Sequence, residues 1–282
     1  MTGTTSLAAV VIAKNERENI GRCLASLRWC QEVVVIDDHS TDGTPELATA
    51  YGARVITHHF ESFAKQRNWA LDEAGLTSEW VLMLDADEVA TEPFCRAVTS
   101  AIEHADNSIA GFQLCRKTMF FDHWLRYADG FPVWIMRLVR RNRARFVDSG
   151  HGEVPVPAVD GSLPRLHEPF LHYPFSKGLS DWWQRHNVYS TREAERERSE
   201  VQPLHLSDLF ARDPAVRRRA WRDLARQMPC RAWLRLFYHY LWRGGFLDGR
   251  AGWEFSSMMA TYEGMIVQKK WEMAMQSKGR AP

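Results

Sequence analysis

Glu79-Trp80-Val81-Leu82-Met83-Leu84-Asp85-Ala86-Asp87-Glu88 is the stretch on which the fold turns. Val81 to Leu84 is a short unbroken apolar run, the pattern of a strand covered on both faces in a mostly parallel sheet. It stops at Asp85 and Asp87, with only Ala86 between them. In an open α/β sheet, ligands bind beyond the carboxyl ends of the strands. Two carboxylates on such a turn can both face a cation, and Mg²⁺ takes one or two carboxylates together with substrate phosphates. The competing reading is that one Asp caps the next helix. It is the weaker one, because Thr91-Glu92-Pro93 already supplies a cap, an acidic first turn and an early proline.

Upstream, the same grammar repeats. Leu7 to Ala13 is an apolar strand. Asn15 with Glu18 three residues on is a helix-start pattern, and Ile20, Cys23, Leu24 and Leu27 follow at helical spacing. Val33 to Ile36 is a second buried strand running into Asp37-Asp38-His39-Ser40-Thr41-Asp42-Gly43. Thr44 opens a helix, Ala53 to Thr57 is a third strand, and Phe63 to Ala74 is a helix. After the central strand, a helix is expected from about Pro93 to Glu103. Strands and helices in alternation with short connections give a parallel, right-handed βαβ sheet.

Three polar loops therefore fall at one end of that sheet: Lys14-Asn15-Glu16, Asp37-Asp38 and Asp85-Ala86-Asp87. Crowded carboxylates repel one another and call for a compensating ligand. They can accept hydrogen bonds from a base N–H and from ribose hydroxyls. Neither Gly-x-Gly-x-x-Gly nor Gly-x-x-x-x-Gly-Lys follows a strand, which argues against a dinucleotide fold and a P-loop.

Composition sets the outer bounds. The chain has 282 residues, 45% of them hydrophobic and 25% charged, as in an ordinary folded protein. A net charge of +1 argues against a general nucleic-acid binder. The five cysteines are odd in number and lack metal-ligand spacing, which suggests free thiols in a reducing compartment, with core packing as their default role. No secretory leader pattern opens the chain, and no uncharged run reaches about 18 apolar residues. The expectation is a cytoplasmic protein, free or held at the cytosolic face of the inner membrane.

Four segments taken in order resemble the successive motifs of family 2 glycosyltransferases. They are Ile12-Ala13-Lys14-Asn15-Glu16, Val35-Ile36-Asp37-Asp38 through Thr44, Phe63-Ala64-Lys65-Gln66-Arg67-Asn68-Trp69-Ala70-Leu71, and Trp80 through Glu88. The set is similar to the bacterial lipopolysaccharide-core-type sugar transferases, strongly over the first 100 residues or so and more weakly to about residue 272. The resemblance implies a GT-A (Rossmann-like) fold, with a mostly parallel sheet flanked by helices and a helical appendage. It also implies a nucleotide-sugar donor, expected to be UDP-linked, a divalent cation (Mg²⁺ or Mn²⁺) and inversion at the sugar carbon. By motif position, Asp37 and Asp38 contact the nucleoside, Glu16 lies by the ribose, and Arg67 lies near the base or diphosphate. Lys14, Asn15, Lys65 and Ala86 complete the donor set. Asp85 and Asp87 serve the metal and the donor sugar, with Asp87 the preferred direct ligand. Three residues carry plainer readings: Asp42 as a loop or cap residue, Asn68 as a turn-fixing residue, and Lys65 as a solvated helix charge, evenly balanced with its donor role.

Further on, Gly111 to Thr118, Val133 to Arg141 and Ala144 to Val147 read as strands, with an aromatic loop from Met119 to Pro132. Asp148-Ser149-Gly150-His151-Gly152-Glu153 then forms a glycine-flanked turn. An inverting transfer needs a base for the acceptor hydroxyl, and a carboxylate suits that task. In the enzymes this chain resembles, the base lies in this region. Glu153 is the first candidate, with Asp148 and Asp129 behind it. Many of those relatives carry adjacent His and Glu, whereas Gly152 separates His151 from Glu153 here. His151 is a candidate for the diphosphate or metal, set against a backbone-bonded turn histidine. His172 and Lys177, in a segment that also resembles the family, are candidates for donor phosphate.

Composition shifts after that segment, so the expected division is 1–176 for the catalytic domain and 177–282 for a helical, basic and aromatic region on the acceptor or membrane side. A helix is expected from Leu179 to Glu200, and another after Asp213-Pro214 carrying Arg217, Arg218, Arg219, Arg222 and Arg226. The aromatics between Trp233 and Trp242 read as core packing. The arginine cluster reads as a peripheral contact with anionic membrane presenting a glycan or glycolipid acceptor. Two other functions compete with sugar transfer. One is a sugar-nucleotide-forming nucleotidyltransferase, disfavoured by the missing glycine-rich basic loop. The other is a non-catalytic membrane-associated scaffold, disfavoured by the intact acids.

Overall fold

The computed structural model describes residues 6–149, 161–199, 206–228 and 230–277, and for 152–157 the course of the backbone. The chain divides into two compact units: Met1–Trp124 with Phe131–Gly178, and Leu125–Gly130 with Leu179–Pro282. The short segment Leu125–Gly130 joins the helical unit, which nothing in the composition of the aromatic loop announces.

In the first unit the order is β1 (Leu7–Ala13), α1 (Arg17–Ala25), β2 (Glu32–Asp37), α2 (Thr44–Ala50), β3 (Arg54–Thr57), α3 (Phe63–Glu73), β4 (Trp80–Asp85), β5 (Glu88–Val89) and α4 (Glu92–Glu103). Then come β6 (Gly111–Phe120), β7 (His123–Trp124), β8 (Val133–Arg140), β9 (Ala144–Ser149), β10 (Gly152–Pro157) and β11 (Arg165–His172). The main sheet runs β3-β2-β1-β4-β8-β6-β11-β5, with β7 on β6, while β9 and β10 form a separate hairpin. β3, β2, β1 and β4 are mutually parallel. β8 enters antiparallel between β4 and β6, and β11 is parallel to β6. The sheet is thus mostly parallel, with β8 and the two-residue β5 and β7 reversed.

Strand periodicity builds a three-layer core. Leu7, Ala9, Val11 and Ala13 of β1 pack with Ile20, Cys23 and Leu24 of α1 and Phe94 and Val98 of α4. Ala8 and Val10, on the opposite face, pack with Ala64, Ala70 and Leu71 of α3. Successive side chains of a strand point to opposite faces, so β1 needs apolar residues throughout. Thr91 caps α4 as its sequence suggests, accepting from the Phe94 N–H at 3.4 Å. The start of α1 differs from expectation. Its N-cap is Glu16, and Asn15 instead adopts a left-handed backbone with φ 53°, accepting from the Thr41 N–H through Oδ1 at 2.8 Å. Asn tolerates that conformation better than most residues, so a sharp turn at the end of β1 forms there.

The helical unit contains α5 (Gly178–Ser199), α6 (Pro214–Gln227), α7 (Arg231–Phe237) continued by a π-helical turn (Tyr238–Trp242), and α8 (Gly249–Gln276). Short 3-10 turns cover Leu206–Phe210 and Gly245–Asp248. Asp248 accepts from the backbone N–H groups of Arg126, Tyr127 and Ala128, at 3.2, 2.9 and 2.8 Å, which ties the Leu125–Gly130 segment into this unit. Arg231 is buried and donates to both carboxylate oxygens of Glu197, at 2.8 and 3.0 Å, and to Glu263. Among the described residues no helix is long and apolar enough to cross a membrane.

Candidate donor-binding and metal site

Strand register brings the acids together. Ala13 lies opposite Asp37 on one side of β1, and Ile12 lies opposite Asp85 on the other. The loops after β1, β2 and β4 therefore leave the same edge of the sheet, as their positions in the sequence imply.

The β2 loop carries two acids with different surroundings. Asp37 is buried; its Oδ2 accepts from the Ser40 N–H at 2.9 Å, and its Oδ1 has no hydrogen-bond partner. Asp38 accepts from Lys14 Nζ at 2.5 Å and from the Phe60 N–H at 3.1 Å, with His59 Nδ1 at 3.6 Å. Burial pushes the Asp38 carboxyl up, but the hydrogen bonds from Lys14 and Phe60 outweigh it and leave the group below its usual range. Asp38, His39 and His59 are also the one set of potential metal-binding side chains whose ligand atoms lie within 4.8 Å of one another among the described residues. Asp42 holds the loop, accepting from the Thr44 and Arg17 N–H groups at 3.0 Å each.

Glu16 accepts from Asn19 Nδ2 at 2.7 Å and from Lys177 Nζ at 2.6 Å. Lys177 also reaches the Asn15 carbonyl at 3.2 Å, so the segment after β11 is pinned to the loop after β1. Burial raises the Glu16 carboxyl above its ordinary range, against the lowering effect of Asn19 and Lys177.

The β4 turn separates its two aspartates by environment. Arg67 Nη2 donates to Asp85 Oδ1 at 2.8 Å, and Arg137 Nη2 donates to Asp85 Oδ2 at 3.0 Å. Each oxygen of Asp85 thus already holds a guanidinium. Arg67 was expected near the base or diphosphate, yet its side chain is 0% exposed and braces Asp85 from within α3. Asp87 instead faces His172, with Oδ2 and Nε2 3.5 Å apart, and its carbonyl accepts from the Tyr173 N–H at 2.9 Å. Ala86 is buried between the two, where a larger side chain would crowd the turn. Glu88 is buried and accepts from the Asp85 N–H at 2.8 Å. Burial first, and then the charges of Asp85 and Asp87, push its carboxyl well up.

The remaining candidates scatter. Lys65 pairs with Glu61 on the exposed face of α3, at 2.5 Å. Asn68 donates to the Phe146 carbonyl at 2.8 Å and accepts from the Phe146 N–H at 3.0 Å, fixing β9 against α3. Asp148 is exposed and accepts from Ser62 Oγ at 2.9 Å, the same hydroxyl that caps α3. Glu153 stands opposite Asp148 in the β9–β10 register. Asp129 belongs to the helical unit. His151 lies outside the described residues. Arg137 is the residue that sequence reasoning missed. A single arginine in an otherwise apolar strand core was its only signal.

A cation fits the Asp87 and His172 pair. Mg²⁺ binds its ligands at roughly 2.1 Å with near-octahedral angles, so neighbouring ligand atoms stand about 3 Å apart. The 3.5 Å between carboxylate oxygen and imidazole nitrogen is close to that separation and long for a direct hydrogen bond. His172 Nδ1 is buried without a hydrogen-bond partner.

A parallel β3-β2-β1-β4 half-sheet extended by a reversed β8, with acidic loops along its carboxyl edge, is an architecture of the GT-A kind. Residues 8–154, just over half of the chain, match the family model Glycosyl transferase family 2, and the chain belongs to that family. It is 28% identical over 145 residues to the lipopolysaccharide core biosynthesis glycosyltransferase LpsC of Rhizobium meliloti (strain 1021), covering 50% of this chain and 53% of that protein. It is 35% identical over 86 residues to the uncharacterised glycosyltransferase RC0292 of Rickettsia conorii (strain ATCC VR-613 / Malish 7), covering 30% of each. The matched region thus spans about half the length of the first relative and under a third of the second. Among solved structures, mannosyl-3-phosphoglycerate synthase from Rubrobacter xylanophilus aligns with TM-score 0.43 and 15% identity, over 71% of this chain and 77% of that one. Glucosyl-3-phosphoglycerate synthase from Mycobacterium tuberculosis, in complex with Mn²⁺, UDP and phosphoglyceric acid, aligns with TM-score 0.38 and 18% identity, over 48% and 56%.

Proposed function

We propose that the protein is an inverting, metal-dependent glycosyltransferase that moves a sugar from a UDP-linked donor to a glycolipid or oligosaccharide acceptor of cell-envelope biosynthesis. The observation that carries this reading is the Asp87–His172 pair beside an arginine-held Asp85, at the sheet edge that also carries Glu16 and Asp38. Asp87 and His172 hold the cation. Asp85 is kept in place by Arg67 and Arg137 and faces the donor sugar. Asp38, with Lys14, takes the base, Glu16 the ribose, and Lys177 a phosphate oxygen as it exchanges its bond to Glu16. The cation, when bound, supplies positive charge for the departing diphosphate without a proton. Glu153 takes the proton of the acceptor hydroxyl, with Asp148 across the hairpin as the alternative and Asp129 behind both. The exposed arginines 217, 218 and 219 of α6 favour peripheral contact with an anionic surface at the cytosolic face of the inner membrane.

A thermal-shift panel of nucleotide diphosphates and nucleotide-sugars, with and without Mn²⁺, tests this reading. A ligand at a hundredfold excess over Kd stabilises the folded state by about 2.7 kcal/mol. The expected result is a Mn²⁺-dependent rise in Tm with UDP or a UDP-sugar, followed by transfer to a lipid-linked acceptor. Pyrophosphate release from a nucleoside triphosphate would point to a nucleotidyltransferase. Failure to bind any nucleotide diphosphate with metal would point to a scaffold.

A further inference from the structure

The segment from α7 through the π-helical turn is inverted with respect to a water-facing helix. Arg231 and His239, eight residues apart, are buried, and Arg235 between them is half-buried, 3.8 Å from Glu263. The polar stripe thus faces the interior of the helical unit. On the opposite side, Trp233 is 74% exposed, Phe237 53%, Leu241 52% and Trp242 76%, spaced by four, four and one. Phe246 and Leu247, on the 3-10 turn that follows, are exposed as well. The expectation of core packing for the aromatics between Trp233 and Trp242 fails for Trp233, Phe237 and Trp242, whereas Tyr240 is half-buried against Phe246 and Trp253. An amphipathic helix at a protein–water boundary turns its charges outward. Contiguous exposed apolar surface of this kind marks a protein or membrane contact.

Charge selects the occupant. Residues 206–250 contain ten arginines and four aspartates; Arg226, Arg231 and Arg235 are paired with Glu193, Glu197 and Glu263 from outside that stretch. Arg217, Arg218, Arg219 and Arg250 are exposed. A twofold contact with a second copy would set these exposed arginines against their own copies, because a twofold interface places the same patch on both partners. An anionic bilayer complements it. Tryptophan and tyrosine beside arginine is also the composition of elements that lie at the headgroup boundary. Since no described helix can cross a bilayer, the element lies in the plane of the surface.

We propose that the outward face of residues 233–247 inserts into the headgroup region of an anionic lipid bilayer, with the exposed arginines of the same unit supplying electrostatic attraction. This deepens the peripheral-contact reading given above, and it is independent of which donor the sheet edge binds.

Flotation of the full chain with phosphatidylcholine vesicles, and with vesicles in which phosphatidylglycerol replaces part of the phosphatidylcholine, tests it. The protein is expected to float with the anionic vesicles. Trp233→Ser combined with Trp242→Ser should weaken partitioning ~10-fold or more. Leu241→Ser with Leu247→Ser should do the same, and both pairs should keep the parent's thermal midpoint and Mn²⁺-dependent nucleotide shift. If both pairs float as well as the parent, insertion is overturned while arginine-driven contact stands. In that case only changing Arg217, Arg218 and Arg219 to Gln releases the protein. If the parent ignores anionic vesicles, both the insertion and the peripheral contact fail. A concentration-dependent dimer in sedimentation that either pair abolishes would assign the face to a second copy and overturn the lipid assignment.

Discussion

Asp87 Oδ2 and His172 Nε2 stand 3.5 Å apart although one follows β4 and the other ends β11. The relationship depends on the outer part of the sheet. β11 pairs with β5 through Leu171 opposite Val89 and His172 opposite Glu88, so the end of β11 is delivered to the acidic turn by backbone pairing. Two residues earlier, Asp85 is committed to Arg67 and Arg137. One short turn therefore carries two carboxylates in different surroundings, and substitutions should divide them.

Asp87→Ala and His172→Ala are each expected to remove the Mn²⁺ dependence of nucleotide binding while leaving stability close to the parent's. Asp85→Ala should instead destabilise by about 3 kcal/mol, because it takes a carboxylate away from the buried Arg67 guanidinium. Urea denaturation alongside calorimetric titration of UDP with Mn²⁺ separates the two effects. Unchanged Mn²⁺ dependence in both Asp87→Ala and His172→Ala would remove the cation from this turn.

Glu153→Gln should slow sugar transfer ~100-fold or more and leave donor affinity nearly intact, as loss of a general base does. Asp148→Asn should cost far less, because Asp148 is exposed and tied to the hydroxyl that caps α3. Steady-state kinetics with donor and acceptor varied separately make the comparison. The reverse order of effects would move the base to Asp148, and full activity in both variants would move it to Asp129.

Asn68→Ala removes both hydrogen bonds to the Phe146 backbone and leaves that N–H and carbonyl to find other partners. A loss of about 1–3 kcal/mol is expected. Hydrogen exchange should show faster exchange at β9 than at β1 or β4. Equal protection of the three strands would mean that the side chain does not hold the hairpin.

His239 gives the helical unit an acid limit. Burial lowers its pKa from 6.5 to about 4, helped by Arg235 and Arg243 and opposed by its bond to the Ala128 carbonyl and by Asp129. Between these values the unfolded chain holds the proton and the folded one does not, so stability rises with pH. The contribution is complete above 6.5 and is lost as pH falls towards about 4, amounting to at most about 3 kcal/mol. His239→Asn, which can still donate to Ala128, should flatten denaturation midpoints across that window. A variant with the parent's full pH slope would exclude His239 as the source.

Most of the sheet was legible because β1, β2 and β4 carry apolar residues on both faces, and the acidic loops that end them are local features. The covered strand at Val81–Leu84, the Thr91 cap and the common edge of Glu16, Asp38 and Asp85 follow from patterns a few residues long. What was not legible depends on contacts between segments far apart in the chain. Nothing near Arg137 signals that it reaches Asp85, because the pairing arises from β8 lying beside β4. Arg67 sits in a motif suggestive of ligand contact, yet the fold buries it completely. The aromatics from Trp233 to Trp242 show helical spacing, but spacing alone does not say which side faces inward. That is decided by Glu197 and Glu263, which draw Arg231 into the interior.

Gly252 fixes how the first turn of α8 meets the segment before it. A methyl group at this position would lie 1.9 Å from the Gly245 carbonyl oxygen, and one at Gly245 would lie 2.5 Å from the His239 carbonyl oxygen. Neither obstacle is a side chain that can swing aside. Replacing Gly252 with alanine would therefore push residues 245–248 away from the helix and tilt Phe246 and Leu247 with them. For protein engineers, that makes a single hydrogen atom, remote in sequence from every acid of the sheet edge, a handle on the tilt of the proposed lipid-facing surface.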